Sequence, residues 1–158
     1  MSAEMEQLYQ AVILDHSRSR QGSGEIPQDA SNTSHQVNPT CGDEVTLAVE
    51  VDDDGKITDL VWDGDGCSIS QASLSVMSEA VVGMDAKDRQ ELARTFNKMM
   101  HLRGQMPSED ELDVLEDAAA FSGVSKFPAR VKCALLGWMA LQGALSAAGV
   151  DENYTEGE

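Results

Sequence analysis

One stretch of this chain constrains its fold more than any other. Residues 44–51 (EVTLAVEV) and 57–63 (ITDLVWD) both alternate polar and apolar side chains, and DDDGK, residues 52–56, lies between them. A period of two places every second side chain on the same side of a strand and cannot build one face of a helix. An acidic run ending near glycine is turn chemistry. The segment therefore predicts a β-hairpin with one buried face. A weaker signal at residues 33–37 adds a possible third strand.

The remainder reads as helix. Residues 4–17 carry Met5, Leu8, Tyr9, Val12 and Ile13 at helical spacing, with His16 close to the same stripe. Residues 17–34 lack periodicity and read as a mobile, polar Gly/Ser loop. GDGC, residues 64–67, ends the hairpin. A helix of small residues and Met follows, with Gly83 at its C-terminus. Asp85 is placed to cap a helix running to about Arg103. Pro107 breaks the chain, and Ser108 with Glu111 forms the S-x-x-E pair that opens a short helix to about Phe121. The last helix starts near Pro128, carries Val131, Leu135, Trp138, Leu141 and Leu145 as its stripe, and stops at Gly149. Residues 1–3 and 150–158 are expected to fray. Early strands and late helices predict an α+β fold: a small antiparallel sheet with four to five helices packed against it, in one domain spanning 1–158.

Charge narrows the partners. The formal net charge is −17, which argues against nucleic acid and against an anionic membrane surface, since both are bound through Lys and Arg. No apolar run approaches the length of a membrane span, and MSAEMEQLYQ is not a secretory signal. Cysteines number three, an odd count that suits a cytoplasmic protein with reduced thiols better than a secreted disulfide scaffold.

Those thiols stand at the ends of elements. Cys41 lies in NPTCGD, Cys67 between a Gly-rich turn and a helix start, and Cys133 in the early turns of the last helix. A helix N-terminus beside Cys67, and Lys132 with Arg130 beside Cys133, favour thiolate. Three thiolates and the Asp43 carboxylate would complete a four-coordinate zinc site. Unconnected, buried thiols are the alternative, and with no C-x-x-C pair the spacing leaves both open. His16 is expected to pack along the first helix, His35 to lie in a loop near the first thiol, and His101 to cap a helix or face solvent. Acidic residues 109–117 read as a solvated face.

In order, LYQAVILDH, NPTCGD, DGDGCSISQAS and KCALLGW resemble the U-type scaffold and sulfur-relay family of iron–sulfur cluster assembly, over roughly residues 6–148. Within it the chain is more similar to the SufU branch than to the IscU branch: Lys132 stands where IscU-type chains have histidine, and the stretch between Cys67 and Cys133 is long. The first helix departs from the family pattern, because Asp15-His16 is followed by SRSRQGSG. The resemblance implies one zinc ion per chain on Cys41, Asp43, Cys67 and Cys133. It implies a SufS-type cysteine desulfurase as partner, with a downstream SUF complex receiving the sulfur, and Cys41 as the persulfide acceptor. A histidine of the desulfurase would displace Cys41 from zinc and free its thiolate. Arg130 and Lys132 would be auxiliary, on the rim that meets the partner. The alternative within the family is a scaffold on which an iron–sulfur cluster is assembled; a third reading is a closed structural zinc module.

Overall fold

The computed structural model describes residues 2–40 and 42–154. Three strands, β1 (Thr33–Asn38), β2 (Asp43–Val51) and β3 (Ile57–Asp65), form an antiparallel sheet in the order β1-β2-β3. The hairpin and the third strand stand where the alternation places them. Leu47 faces Trp62 across the β2–β3 pair, and Val45, Leu47, Ile57 and Trp62 are fully buried. Glu44 and Glu50 point away and are exposed. One face of the sheet is thus core and the other largely polar.

Helices cover the apolar face. α1 (Ala3–Ser19) packs on α2 (Ser68–Val81), and α5 (Pro128–Ala147) lies against α2, β1 and β2. Ser2 caps α1 by accepting the Met5 N–H at 3.1 Å. The α5 stripe is only part of what that helix buries: Ala134, Ala140 and Ala144 are as buried as Leu141, so α5 is central and covered nearly all round. Phe96 of α3 (Ala86–Met100) stacks on Trp138 of α5 at 4.9 Å and meets Phe121 edge-on at 5.8 Å. Met77, Met99 and Met100 fill the same core.

Four expectations are corrected. Asp85 occupies the N-cap position of α3 but its side chain makes no cap bond, and one of its oxygens instead meets the Lys56 ammonium at 3.3 Å. The predicted helix from Ser108 opens with its capping box and stops early. α4 covers Glu109–Leu115, and Glu116, at φ +50°, turns the chain into a 3-10 helix through Lys126. Residues 17–34 are tied down as well: α1 takes the first of them, Gly24 N–H donates to Trp62 O at 2.9 Å, and the Trp62 indole donates to Gln21 O at 2.8 Å. This segment covers the free edge of β3.

The fourth correction concerns the tail. Glu152 and Tyr154, expected to fray, are buried. The Arg89 guanidinium, fully buried on α3, pairs with the Glu152 carboxylate and donates to Gly55 O at 2.8 Å. The Tyr154 hydroxyl donates to Glu152 Oε1 at 2.7 Å. Burial and that carboxylate push the Tyr154 phenol well above its usual range. A buried cation needs its anion, and the tail supplies it.

Candidate metal centre

The β1–β2 connection is built to hold residue 42 in a left-handed turn. Gly42 has φ +74°, a conformation L side chains avoid, and its N–H donates to Asn38 O at 2.9 Å. The Asn38 side chain also accepts the Thr40 N–H at 3.2 Å. Cys41 sits in this turn by sequence and lies outside the described residues. Asp43 then starts β2, paired with Asn38 across the strands.

Asp43 is fully buried. Its Oδ1 accepts the Cys67 N–H at 2.8 Å, which joins the start of β2 to the start of α2. That bond orients the carboxylate and leaves Oδ2 facing the Cys67 sulfur at 3.7 Å. Gly66 makes the approach possible. A Cβ there would stand 2.4 Å from both Asp43 Oδ1 and the Ser70 hydroxyl oxygen. Cys67 is the N-cap residue of α2 and is exposed. Cys133, on α5, is buried. Its thiol donates to Ala129 O at 3.6 Å, and the Asn38 amide approaches its sulfur at 3.9 Å.

Asp43, Cys67 and Cys133 offer donor atoms that all lie within 4.8 Å of one another. Tetrahedral donors at ordinary zinc bond lengths stand roughly 3.5 Å apart. The three residues fit such an ion with small side-chain movements. The cup is asymmetric, with Asp43 and Cys133 as its floor and Cys67 on its open lip.

The other predicted residues are dispersed. Arg130 and Lys132 are exposed on the first turns of α5, and Arg130 lies over the Phe127 ring at 5.0 Å. His35 is on β1, not in a loop, and its Nε2 meets Glu44 at 2.9 Å. His101 ends α3 with Nδ1 2.8 Å from Asn97 O. His16 is buried, with Nδ1 2.8 Å from the Ser75 hydroxyl. Sequence reading missed Asn38 and Ser70; an amide just before the Pro-Thr-Cys turn was the one available signal.

A model of the family described as "NifU-like N terminal domain" matches residues 8–134. The Bacillus subtilis protein named zinc-dependent sulfurtransferase SufU is 39% identical over 89% of this chain and 91% of its own. The Streptococcus pyogenes serotype M1 protein named iron–sulfur cluster assembly scaffold protein IscU is 38% identical over 99% of this chain and 97% of its own. The crystal structure of FiSufU from Fervidobacterium islandicum AW-1 superposes with a TM-score of 0.75, at 36% identity, covering 89% of this chain and 98% of that one. The matched residues take in Asp43, Cys67 and Cys133 as well as the sheet and most of the helices. The chain belongs to the NifU-like N-terminal domain family, with the SufU/IscU fold.

Proposed function

We propose that this protein is a zinc-dependent sulfurtransferase of iron–sulfur cluster assembly. It accepts persulfide sulfur from a SufS-type cysteine desulfurase on Cys41 and passes it to a downstream SUF complex in the cytoplasm. The observation that carries the reading is the cup of Asp43, Cys67 and Cys133, open on one side and adjoining the turn that holds Cys41. The name of the Bacillus relative supports it.

Zinc, held by Cys41, Asp43, Cys67 and Cys133, would keep the thiols deprotonated at neutral pH. The chain's residues do the rest. Asp43 is fixed by the Cys67 N–H, and Cys133 by its helix. Gly42 gives the turn that contains Cys41 by sequence its left-handed conformation. In the transfer the Cys41 thiolate attacks the outer sulfur of the desulfurase persulfide. The donor S–S bond breaks, its electron pair leaves on the desulfurase cysteine, and Cys41 carries the new persulfide. No external oxidant or reductant is needed. Arg130 and Lys132 give an otherwise acidic protein a cationic rim for docking; reversing both charges weakens desulfurase affinity, and unchanged affinity removes them from the interface.

A cluster scaffold is the second reading, because the Streptococcus relative carries that name and three thiolates can ligate iron. Lys132 before the third cysteine favours the relay. Intact-mass analysis separates them, using the zinc-loaded protein after reaction with desulfurase and cysteine. Gain of one sulfur mapped to Cys41, with zinc retained, supports the relay. Gain only after zinc removal supports the scaffold, and no gain with zinc unaltered supports a closed structural site.

A further inference from the structure

A second donor cluster lies away from the thiols, where α1, α2 and the 3-10 helix meet. His16, Glu79 and Asp117 each offer one ligand-type atom, and these atoms lie within 4.8 Å of one another. We propose that His16, Glu79 and Asp117 form a thiol-free site for one divalent first-row cation of the Mn(II)/Fe(II) class.

The charges at this point favour a cation over an anion. Two carboxylates share this point, in a chain of net charge −17. Among the described residues neither Glu79 nor Asp117 meets a lysine or arginine; Asp117 meets only the imidazole, at 3.7 Å from Nε2. That separation is too long for a hydrogen bond. Both carboxylates are exposed, so water screens their mutual repulsion, and a divalent ion between them would gain from both charges.

The imidazole is set up as a ligand. His16 is only 9% exposed and sits against α2. Its Nδ1 is 2.8 Å from the Ser75 hydroxyl, which also accepts the Gln21 N–H at 2.9 Å. Ser75 can accept from Nδ1–H, which fixes the ring and turns the Nε2 lone pair toward the carboxylates. Ligands on adjacent positions of an octahedral ion stand about 3 Å apart. Glu79 and Asp117 are exposed and close that gap by side-chain rotation, while buried His16 stays in place. A cavity of about 250 Å³, lined by the same three residues with Met84, Leu92 and Val114, has room for waters to complete the shell.

The donor type separates this site from the first. One nitrogen and two carboxylates suit harder ions than thiolates do. Two sites on one fold would then sort metals by softness.

The test uses the full chain with its thiol site already zinc-loaded. Mn(II) is titrated in, and loss of the free-ion EPR signal reads binding. One Mn(II) per chain is expected with zinc retained, and Glu79→Gln and Asp117→Asn should each raise the dissociation constant roughly tenfold or more. Asp113→Asn, on the same acidic segment, should change nothing. Both test residues are exposed, so the fold survives, and circular dichroism checks it. Co(II) at this site should show weak d–d bands without thiolate charge transfer. Binding of Mn(II) only at millimolar levels, equal binding by both variants, or a cobalt spectrum of thiolate type alone overturns the proposal. Zinc content and sulfur transfer are read separately, so failure here leaves the sulfur-relay reading to its own test.

Discussion

Gly66→Ala puts the geometry of the thiol cup under direct strain. The new Cβ would lie 2.4 Å from Asp43 Oδ1 and from the Ser70 hydroxyl oxygen, and 2.8 Å from the Asp43 carboxyl carbon. Ordinary contact therefore demands a retreat of roughly 1 Å. Neither neighbour can swing clear: Asp43 is fully buried, and the Ser70 hydroxyl donates to Cys67 O at 3.0 Å. The carboxylate must move, which breaks its bond from the Cys67 N–H and misaims Oδ2. Losing that charge-assisted hydrogen bond costs about 1.5–3 kcal/mol, a weakening of zinc affinity on the order of tenfold to a hundredfold. Competition against a chromogenic chelator at fixed pH measures it. Gly123→Ala is the control, because a Cβ there meets nothing within 4 Å. A folded Gly66→Ala protein that holds zinc as tightly as the parent would refute the role assigned to Asp43.

Three further perturbations test the fold around that cup. Glu152→Gln strands the fully buried Arg89 charge; removal of one partner of a buried pair costs about 3–5 kcal/mol, so the melting temperature should drop by roughly 10 °C, and an unchanged value would mean the tail does not dock in solution. Adding Arg89→Met to Glu152→Leu should recover part of the loss. Ser108→Ala removes the α4 cap and should cost about 1 kcal/mol in urea unfolding. Glu111 sits in the same box, and its carboxyl is held below the usual range, chiefly by the Lys98 hydrogen bond. Its contribution is thus present above the ordinary carboxylate range and fades as pH falls through the lowered value, so Glu111→Gln should flatten the acid limb of stability. Tyr154, with its phenol pushed up by burial, contributes below the ordinary tyrosine range and loses that contribution at higher pH. In a Tyr9→Phe background, tyrosinate absorbance should appear only as the chain unfolds; smooth titration of the folded protein would show an accessible phenol.

What the sequence made legible was local. Alternation from Glu44 to Asp63 announced the hairpin because period and burial are one property there. The Ser108–Glu111 box and Pro128 marked true helix starts for the same reason: their chemistry acts within one turn. The break at Glu116 was invisible, since an acidic, alanine-rich run has every propensity to continue as helix. The docked tail was invisible because its anchor is Arg89, far away along the chain. Cys67, Cys133 and Asp43 were named from their contexts, but their convergence is a tertiary fact, as is the meeting of Asp117 with His16.

The asymmetry of the cup bears on which chemistry it suits. A purely structural zinc site encloses all of its ligands, because exposure gains nothing and invites exchange. Here Asp43 and Cys133 are buried and braced by the Cys67 N–H and by the Asn38 amide, whereas Cys67 stands in solvent at a helix start. Braced donors lose little freedom on binding an ion, so most of the holding strength resides in the floor. Cys41 belongs by sequence to the turn between β1 and β2, whose Gly42 adopts the left-handed conformation. A braced floor beside an exposed lip suits the proposed sulfur relay, in which one ligand would be exchanged, better than a closed structural site.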